Sequence, residues 1–301
     1  MPTTRPRPHL AVATILSLAG LVGVWLLQNF IGERTGPTAL LTYFPPHGWA
    51  LFPIILGLMA LRRRRAALLG LNLLGLLFWA KWILGFNVPL RISAREKTAP
   101  TLRILTYNVQ RGERGTPELI STIKSQRPDI VCLQESQHST PNGSRSPGDV
   151  LQSEFRGWNA ARAGDVMTLS RFPLASWRSY PLRGTRRILE TTWHTPRGPI
   201  RVLNVHVATS YPRQRRTGRG LRRRLSQVAR DAQPSAQARL DQIAPIFRAV
   251  ATGNPHIPLV VAGDFNTPPR GLFYRALTSE LDDSWTRNGW GTGHTFPSRL
   301  P

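Results

Sequence analysis

Three long apolar stretches dominate the first ninety residues, at 10–30, 39–61 and 66–86. The first two carry no Asp, Glu, Lys or Arg, and Lys81 in the third lies close enough to its end to reach the membrane surface. At about 1.5 Å per residue, each stretch can cross the ~30 Å hydrocarbon core of a bilayer. The pattern predicts a membrane region at 1–90 with about three transmembrane helices. The second should be kinked or partly re-entrant, because it contains three prolines.

Basic residues around these stretches predict their orientation. Arg5 and Arg7 precede the first, and Arg62–Arg65 follow the second. The positive-inside rule places both groups in the cytoplasm, so the chain after the third span should lie outside it, at the plasma membrane. Two alternatives stay open. The first stretch could be a cleaved signal peptide, or the second could be a hairpin that does not cross, which would put the remaining chain in the cytoplasm.

The pattern changes after a polar linker at 91–100. Short apolar runs and apolar–polar alternation indicate strands, whereas apolar residues at helical spacing indicate helices. Strands are predicted at 102–109, 129–134, 166–170, 188–194, 200–207 and 259–265, and helices at 116–126 and 235–252. Segments 139–149 and 209–234 are predicted as loops. The single cysteine, Cys132, lies in an apolar run and excludes an intrachain disulfide.

Polar residues close several of these apolar runs. Asn108 ends ILTYN, Glu135 follows DIVCLQ, and His206 ends VLNVH. Asp264 and Asn266 stand one residue apart in VAGDFNTP. A carboxylate that closes a buried strand is costly unless it is paired or bound to a metal, so these residues together indicate a functional site.

The motifs TYNV, LQE, LSRFPL, NVH and GDFNTPP, in this order, resemble the endonuclease/exonuclease/phosphatase superfamily, which includes deoxyribonuclease I. The resemblance extends over 101–301, and a late HTFP step also fits it. It implies a deoxyribonuclease I-like, four-layered α/β sandwich with its site where two sheets meet at one end. It also implies metal-dependent hydrolysis of a phosphoester.

The resemblance implies a role for each motif residue. Glu135 matches the principal ligand of Mg²⁺, for which Mn²⁺ is the alternative, and Asn108 matches the neighbour that supports the metal and the phosphate. His206 matches the histidine that contacts the scissile phosphate. Asp264 matches the residue that aligns or deprotonates the attacking water. Asn266 matches the amide that holds Asp264 and a phosphate oxygen.

One part of the family pattern is missing from the sequence. Family members continue with two further strands and finish with a catalytic Asp–His pair, whereas these residues end at HTFPSRLP. The expectation is therefore either a fragment that lacks its C-terminal strands or a degenerate enzyme, and the activity of this chain is left open.

The formal net charge of +24 indicates an anionic partner. Residues 211–224, YPRQRRTGRGLRRR, follow the His206 strand and contain seven arginines, of which Arg213, Arg215, Arg216 and Arg219 are candidate substrate contacts. They either bind a polyanion, such as a nucleic acid backbone or a phospholipid head group, or form a solvated excursion.

Three functions are compatible with the sequence. The leading one is a membrane-anchored, Mg²⁺-dependent phosphodiesterase or phosphatase that acts on nucleic acid or phospholipid. The alternative is a catalytically impaired polyanion-binding module on the same fold. In the third, the membrane spans carry out the function and the domain regulates them, although nothing in the spans, including the polar residues Asn72 and Lys81, indicates a transport site.

Overall fold

The computed structural model describes residues 8–89, 101–113, 115–137, 145–208 and 232–295. The chain forms two compact units, which we call the helical unit and the sandwich unit. The helical unit consists of Met1–Thr98, Arg219–Ala236 and Thr267–Pro301, and the sandwich unit consists of Ala99–Gly218 and Gln237–Asn266.

The helical unit contains the apolar stretches. A helix over His9–Arg34 and another over Ala66–Leu84 are long and apolar enough to cross a membrane. Both end in irregular turns, which are π-helical at Leu27–Ile31 and at Trp79–Leu84. The predicted kink is confirmed. Between these helices, Gly36–Tyr43 and Pro46–Arg62 meet at 87°, and they make a third candidate span if the bent pair is counted as one.

The first and last of these helices run in the same direction. Near their beginnings, the Asn72 side chain donates a hydrogen bond to Thr14 Oγ1 (3.1 Å). Near their ends, the Trp25 and Phe78 rings meet edge to face at 6.2 Å. Asn72 is buried, and its amide nitrogen also donates to its own helix at Leu68 O (2.8 Å), so the NH₂ group is satisfied inside the unit, whereas Oδ1 has no partner among the described residues.

Residues that follow the GDFN motif pack with these helices. They form two short helices, Gly271–Glu280 and Ser284–Asn288. The buried Arg270 guanidinium donates to three backbone carbonyls, at Thr42 (2.8 Å), Phe44 (3.2 Å) and Ile83 (3.2 Å). Burial lowers the pKa of Arg270 to about 10, which still leaves it charged at neutral pH.

Glu33 binds the beginning of the helix that follows Arg270. Its carboxylate accepts a hydrogen bond from the Leu272 backbone N–H at 2.7 Å. A negative charge at a helix N-terminus is favourable, because the first N–H groups of a helix have no partner within it. The Arg270 guanidinium and the Glu33 carboxylate are therefore each fixed by hydrogen bonds within the helical unit.

The sandwich unit contains two four-stranded sheets. One has the order β1–β2–β4–β3 and the other the order β5–β6–β7–β8. The pairs β1–β2 and β7–β8 are parallel, and the remaining pairs are antiparallel. The strands are β1 (Ile104–Asn108), β2 (Ile130–Gln134), β3 (Asn159–Ala163), β4 (Val166–Ser170), β5 (Leu174–Pro181), β6 (Arg187–Thr195), β7 (Gly198–His206) and β8 (Leu259–Asp264).

Helices cover the outer faces of both sheets and complete the four layers. Thr116–Gln126 and Pro147–Glu154 pack their apolar faces on the first sheet, where Ile123 and Leu151 are fully buried. Ile243–Thr252 lies on the second sheet, where Ala249 O accepts a hydrogen bond from the Arg201 side chain at 3.1 Å. The predicted four-layered α/β sandwich is confirmed.

A buried polar contact joins the two sheets beneath the strand ends. Asn204 of β7 donates to the backbone carbonyls of Leu133 (3.1 Å) and Met167 (3.0 Å), and it accepts from Gln134 Nε2 (2.8 Å). A buried amide is stable only when its donors and acceptors are all used, so this contact specifies one relative placement of the sheets.

The six predicted strands and the helix at 116–126 are confirmed, with differences of one or two residues at their ends. Residues 232–240 are helical and separated by a turn from Ile243–Thr252, so the predicted helix at 235–252 is interrupted. The predicted loop at 139–149 is wrong at its end, because Ser146 caps a helix that starts at Pro147. Residues 138–144 and 209–231 of the predicted loops lie outside the described residues.

Candidate active site

The motif residues of the sandwich unit lie at the carboxyl ends of its parallel strands. Asn108 ends β1, and Glu135 follows β2 directly. His206 ends β7 and stands opposite Asp264, the last residue of β8. Because parallel strands end at the same edge of a sheet, the sequence order places these side chains around one point.

Asp264 is held by both of its carboxylate oxygens. The Asn266 backbone N–H donates to Oδ1 at 2.9 Å, and Asn108 Nδ2 donates to Oδ2 at 2.8 Å. The side-chain oxygen of Asn108, Oδ1, in turn accepts a hydrogen bond from the Gln110 backbone N–H at 3.0 Å. The carboxylate is thus fixed in orientation while its side chain remains partly exposed, with lone pairs available to a water molecule.

Gly263 lets β8 approach β7 at this point. Its φ is +148°, and a Cβ there would lie 1.9 Å from Val205 O. Only glycine fits so close to a neighbouring backbone. The glycine of the GDFN motif therefore has a structural reason beside the chemistry of the two residues that follow.

His206 is completely buried and lies between two carboxylates. Its Nδ1 is 2.8 Å from Asp165 Oδ2, and its Nε2 is 3.8 Å from Asp264 Oδ2. Nε2 has no hydrogen-bond partner in the part of the chain that the structure describes. The contact with Asp165 orients the ring, and Nε2, when it carries a proton, can donate to a ligand beside Asp264.

Asp165 also binds Arg186, whose Nη1 donates to the same Oδ2 at 2.5 Å. Because one oxygen serves both, Arg186 Nη1 and His206 Nδ1 lie only 2.6 Å apart. Burial acts to raise the pKa of Asp165, but the hydrogen bond and charge of His206 and the charge of Arg186 together hold it below its usual range. Asp165 is therefore an anion that fixes two cationic or donor groups.

The turn that carries Asp165 depends on a glycine. Gly164 has φ +58°, and a Cβ on it would lie 2.6 Å from both Thr185 O and the Arg187 side chain. The turn between β3 and β4 is therefore pressed against the chain around Arg186, which brings Asp165 and Arg186 together.

Glu135 lies between two arginines. Arg186 Nη2 is 3.5 Å and Arg111 Nε is 3.9 Å from its carboxylate oxygens. Both distances exceed the roughly 2.7–2.9 Å of a strong charge-assisted hydrogen bond. The carboxylate is mostly buried but retains oxygen lone pairs that no closer donor among the described residues occupies.

Several residues near these side chains have a left-handed backbone. Glu135 has φ +56°, Asn266 +49°, Gln110 +47° and Arg111 +57°. Such values are uncommon outside glycine and are tolerated where the surrounding structure imposes them, often at functional sites. Here they lie directly after β1, β2 and β8, and they aim the side chains that follow each strand.

The donor set fits a hard divalent cation. Among the described residues there is no group of three or more His, Cys, Asp and Glu side chains that could hold a metal. Mg²⁺ does not need such a group, since it is commonly held by one or two carboxylates together with waters and substrate oxygens. Glu135 supplies such a carboxylate. Cys132 is buried, and burial raises the pKa of its thiol to about 12, so it offers no thiolate.

The structure assembles most of the predicted site residues. Asn108 and His206 both approach Asp264, whereas Glu135 is linked to His206 and Asp165 through Arg186. Asn266 holds Asp264 through its backbone N–H, and its side chain donates to Val207 O at 2.8 Å. The roles assigned to these residues stay predictions.

The candidate substrate contacts Arg213, Arg215, Arg216 and Arg219 lie outside the described residues. They stay a prediction that the salt dependence of polyanion binding tests. A salt slope that is unchanged when they are replaced by Gln would contradict it.

Sequence reasoning missed Asp165, Arg186 and Arg111. The one signal for Asp165 is its position, since this acidic residue directly precedes the fully buried strand β4. Nothing comparable marks the arginines in a chain with 40 Lys and Arg residues.

A sequence profile of the Endonuclease/Exonuclease/phosphatase family matches residues 105–301, and the chain belongs to this family. The family consists of nucleases and phosphatases that hydrolyse ester bonds, typically with a divalent metal. No curated protein sequence matches the chain significantly.

Several solved structures are similar in fold. Humanized D. rerio TDP2 with 14 mutations is 14% identical, with a TM-score of 0.43 over 59% of this chain and 69% of that one. Sphingomyelinase C from Streptomyces griseocarneus is 17% identical, with a TM-score of 0.41 over 60% and 70%. An AP endonuclease from Archaeoglobus fulgidus is 16% identical, with a TM-score of 0.36 over 56% and 59%. At these identities the likeness concerns the fold alone.

Proposed function

We propose that the protein is a membrane-anchored, metal-dependent phosphoesterase that hydrolyses a phosphodiester or phosphomonoester by attack of an activated water. The observation that supports this most is the approach of Asn108 and His206 to Asp264 at the ends of three strands. It combines an oriented carboxylate with an imidazole nitrogen, less than 4 Å away, that has no hydrogen-bond partner among the described residues. Hydrolysis of a phosphoester needs a proton acceptor for water and donors for the phosphate oxygens.

Each side chain has a defined task in this proposal. Asp264 accepts a hydrogen bond from the attacking water and takes its proton, while Asn108 and the Asn266 N–H keep the carboxylate in place. His206 donates from Nε2 to a non-bridging phosphate oxygen, and Asp165 keeps the imidazole in the required orientation. The second N–H of the Asn266 amide, which Val207 O does not use, is a further donor for a phosphate oxygen.

The proposed ligand for Mg²⁺, or Mn²⁺ in its place, is Glu135, with Asn108 beside it. A divalent cation bound there would neutralise negative charge on the phosphate oxygens. Arg186 and Arg111 restrain the Glu135 side chain at distances long enough for its oxygens to accept another ligand.

Hydrolysis of bis-p-nitrophenyl phosphate and p-nitrophenyl phosphate by the purified protein in lipid nanodiscs tests this proposal. We expect hydrolysis of at least one ester with Mg²⁺ or Mn²⁺, and loss of that activity when EDTA removes the metal. Hydrolysis that persists in EDTA would contradict the metal dependence. Binding of DNA or anionic vesicles without any hydrolysis would favour a polyanion-binding module instead.

We also propose that the helical unit spans the plasma membrane and that the sandwich unit lies outside the cytoplasm. The exposed Arg62–Arg65 between two apolar helices support this orientation. A C-terminal alkaline phosphatase fusion should be active and a C-terminal green fluorescent protein fusion should be dark. The reverse pair of results would mean that the bent segment Gly36–Tyr43 and Pro46–Arg62 does not cross.

A further inference from the structure

Aromatic side chains are concentrated at one end of the helical unit. The parallel helices His9–Arg34 and Ala66–Leu84 both carry tryptophans near their C-terminal ends, while the exposed Arg62–Arg65 precede the second of them. Tryptophan is enriched where a protein crosses from lipid to water, because its indole combines an apolar ring with one N–H donor. Six of the nine tryptophans belong to this unit, namely Trp25, Trp49, Trp79, Trp82, Trp285 and Trp290.

Two of these tryptophans come from a part of the chain that is remote in sequence from the apolar helices. Trp285 and Trp290 lie in and after the helix Ser284–Asn288. The Trp290 ring meets the Phe86 ring edge to face at 5.8 Å, and Phe86 follows Leu84, the last residue of the third apolar helix. A distant segment thus adds an indole beside the end of a candidate span.

Asn87 fixes this segment. Its side-chain amide nitrogen lies 2.8–3.0 Å from the backbone carbonyl oxygens of Trp285, Thr286 and Gly289. Its backbone also exchanges two hydrogen bonds with Gly291, at 2.8 and 3.0 Å. The position of Trp290 relative to the end of the helix is therefore determined by hydrogen bonds on both sides of it in sequence.

The outer face of this arrangement is apolar and exposed. Trp290 is 67% exposed. Trp82, on the last turn of the helix Ala66–Leu84, is 51% exposed. Phe86 lies between them in the chain and contacts Trp290. We call Trp82, Phe86 and Trp290 the aromatic surface. Trp82 belongs to a candidate span whose leucines are similarly exposed, such as Leu74 and Leu77, so the occupant that fits the aromatic surface is the lipid bilayer.

We propose that the aromatic surface lies in the head-group region of the membrane, so that the segment at 285–291 is a membrane-contact element in addition to the spans. The proposal rests on the membrane anchoring proposed above and adds a contact that no apolar stretch of the sequence indicates. Its partner is the interface of a phospholipid bilayer, where indole rings bury their apolar faces and keep their N–H groups hydrated.

Site-directed fluorescence in lipid nanodiscs tests this. The only native cysteine, Cys132, is fully buried and stays unlabelled at neutral pH because burial raises the pKa of its thiol to about 12. Trp290→Cys, Trp82→Cys and Trp177→Cys each receive an environment-sensitive fluorophore. Trp177, on β5 of the sandwich unit, is the matched control, since it is as exposed as Trp82. Quenching is measured with head-group-proximal nitroxide lipids and with aqueous iodide.

We expect the probes at Trp290 and Trp82 to lose fluorescence to the nitroxide lipids and to be protected from iodide, and the probe at Trp177 to behave in the opposite way. If the Trp290 probe matches Trp177 while Trp82 is quenched by lipid, the helices span but the proposed contact is wrong. Protection from both quenchers would indicate a second protein copy and would also overturn it. If even Trp82 escapes the lipid quencher, both the anchoring and this contact fail.

A second measurement avoids the loss of a large ring. Trp290→Phe and Trp177→Phe keep an aromatic side chain, and their intrinsic fluorescence is compared in brominated lipids. Brominated lipid should quench a smaller fraction of the emission in Trp290→Phe than in the unchanged protein. In Trp177→Phe it should quench a larger fraction, because the emission removed there comes from an indole outside the membrane. Equal changes in the two variants would contradict the proposal.

Discussion

Asp264→Asn should lower the rate of phosphoester hydrolysis by about 10²–10⁴-fold, the usual contribution of a general base. KM should change little, since the phosphate donors stay in place. Part of the variant's defect should be structural. An amide in this position would direct its NH₂ group either at Asn108 Nδ2 or at the Asn266 N–H, which are the two donors that the carboxylate now accepts. Initial rates of bis-p-nitrophenyl phosphate hydrolysis and a thermal unfolding curve measure the two effects.

A double variant separates chemistry from stability. Asn108→Asp combined with Asp264→Asn restores a donor–acceptor pair across the 2.8 Å contact, so the unfolding temperature should recover, but the carboxylate is moved to β1 and activity should stay low. Recovery of activity would mean that the position of the carboxylate is unimportant, and it would contradict the assignment of Asp264 as the general base. Asp241→Asn is the matched control, because Asp241 is exposed and, within the described part of the chain, its side chain binds Gln237.

Glu135→Gln should abolish most metal-dependent hydrolysis and the stabilisation that Mg²⁺ or Mn²⁺ gives to the folded protein. A ligand that binds only the folded state raises its stability, so a metal-dependent rise in the unfolding temperature reports binding without any turnover. In the absence of metal the variant should unfold within about 1 kcal/mol of the unchanged protein, because the two arginines lie too far from Glu135 to form strong pairs.

Glu154→Gln is the control for this experiment. Glu154 is an exposed glutamate that pairs with Lys124 on the outer helices of the first sheet. It should keep both the hydrolysis and the metal-dependent rise in unfolding temperature. If Glu135→Gln keeps the metal-dependent rise as well, Glu135 does not bind the metal.

The strands that the sequence predicts best are those that are buried on both sides. β2 and β4 are buried at every position, and the predicted bounds lie within one residue of their ends. β5 was missed because it is largely exposed and contains Arg178 between Trp177 and Ser179. β3 was missed because alanine dominates it, and alanine has no preference for a strand.

The site was predictable as far as side chains stand at strand ends. Asn108, His206 and Asp264 close apolar runs, so the pattern places each at a strand end, and the family resemblance predicts that these ends meet. Asp165 and Arg186 reach the site from turns, where the pattern carries no such information. The left-handed backbone at Glu135 and Asn266 could not be predicted from the sequence either, because neither residue type by itself indicates a positive φ.

The interrupted make-up of the helical unit has a consequence for biosynthesis. The carbonyls of Thr42, Phe44 and Ile83 receive the Arg270 guanidinium, yet the ribosome makes Arg270 only after the whole sandwich unit. At ~5–20 residues per second the delay is on the order of ten seconds. During that interval the apolar helices lack the Arg270 cation and the helix Gly271–Glu280, which pack with them in the folded unit. Completion of the helical unit therefore waits for synthesis of the sandwich unit, and a chain that stalls before Arg270 leaves these three carbonyl groups without that donor.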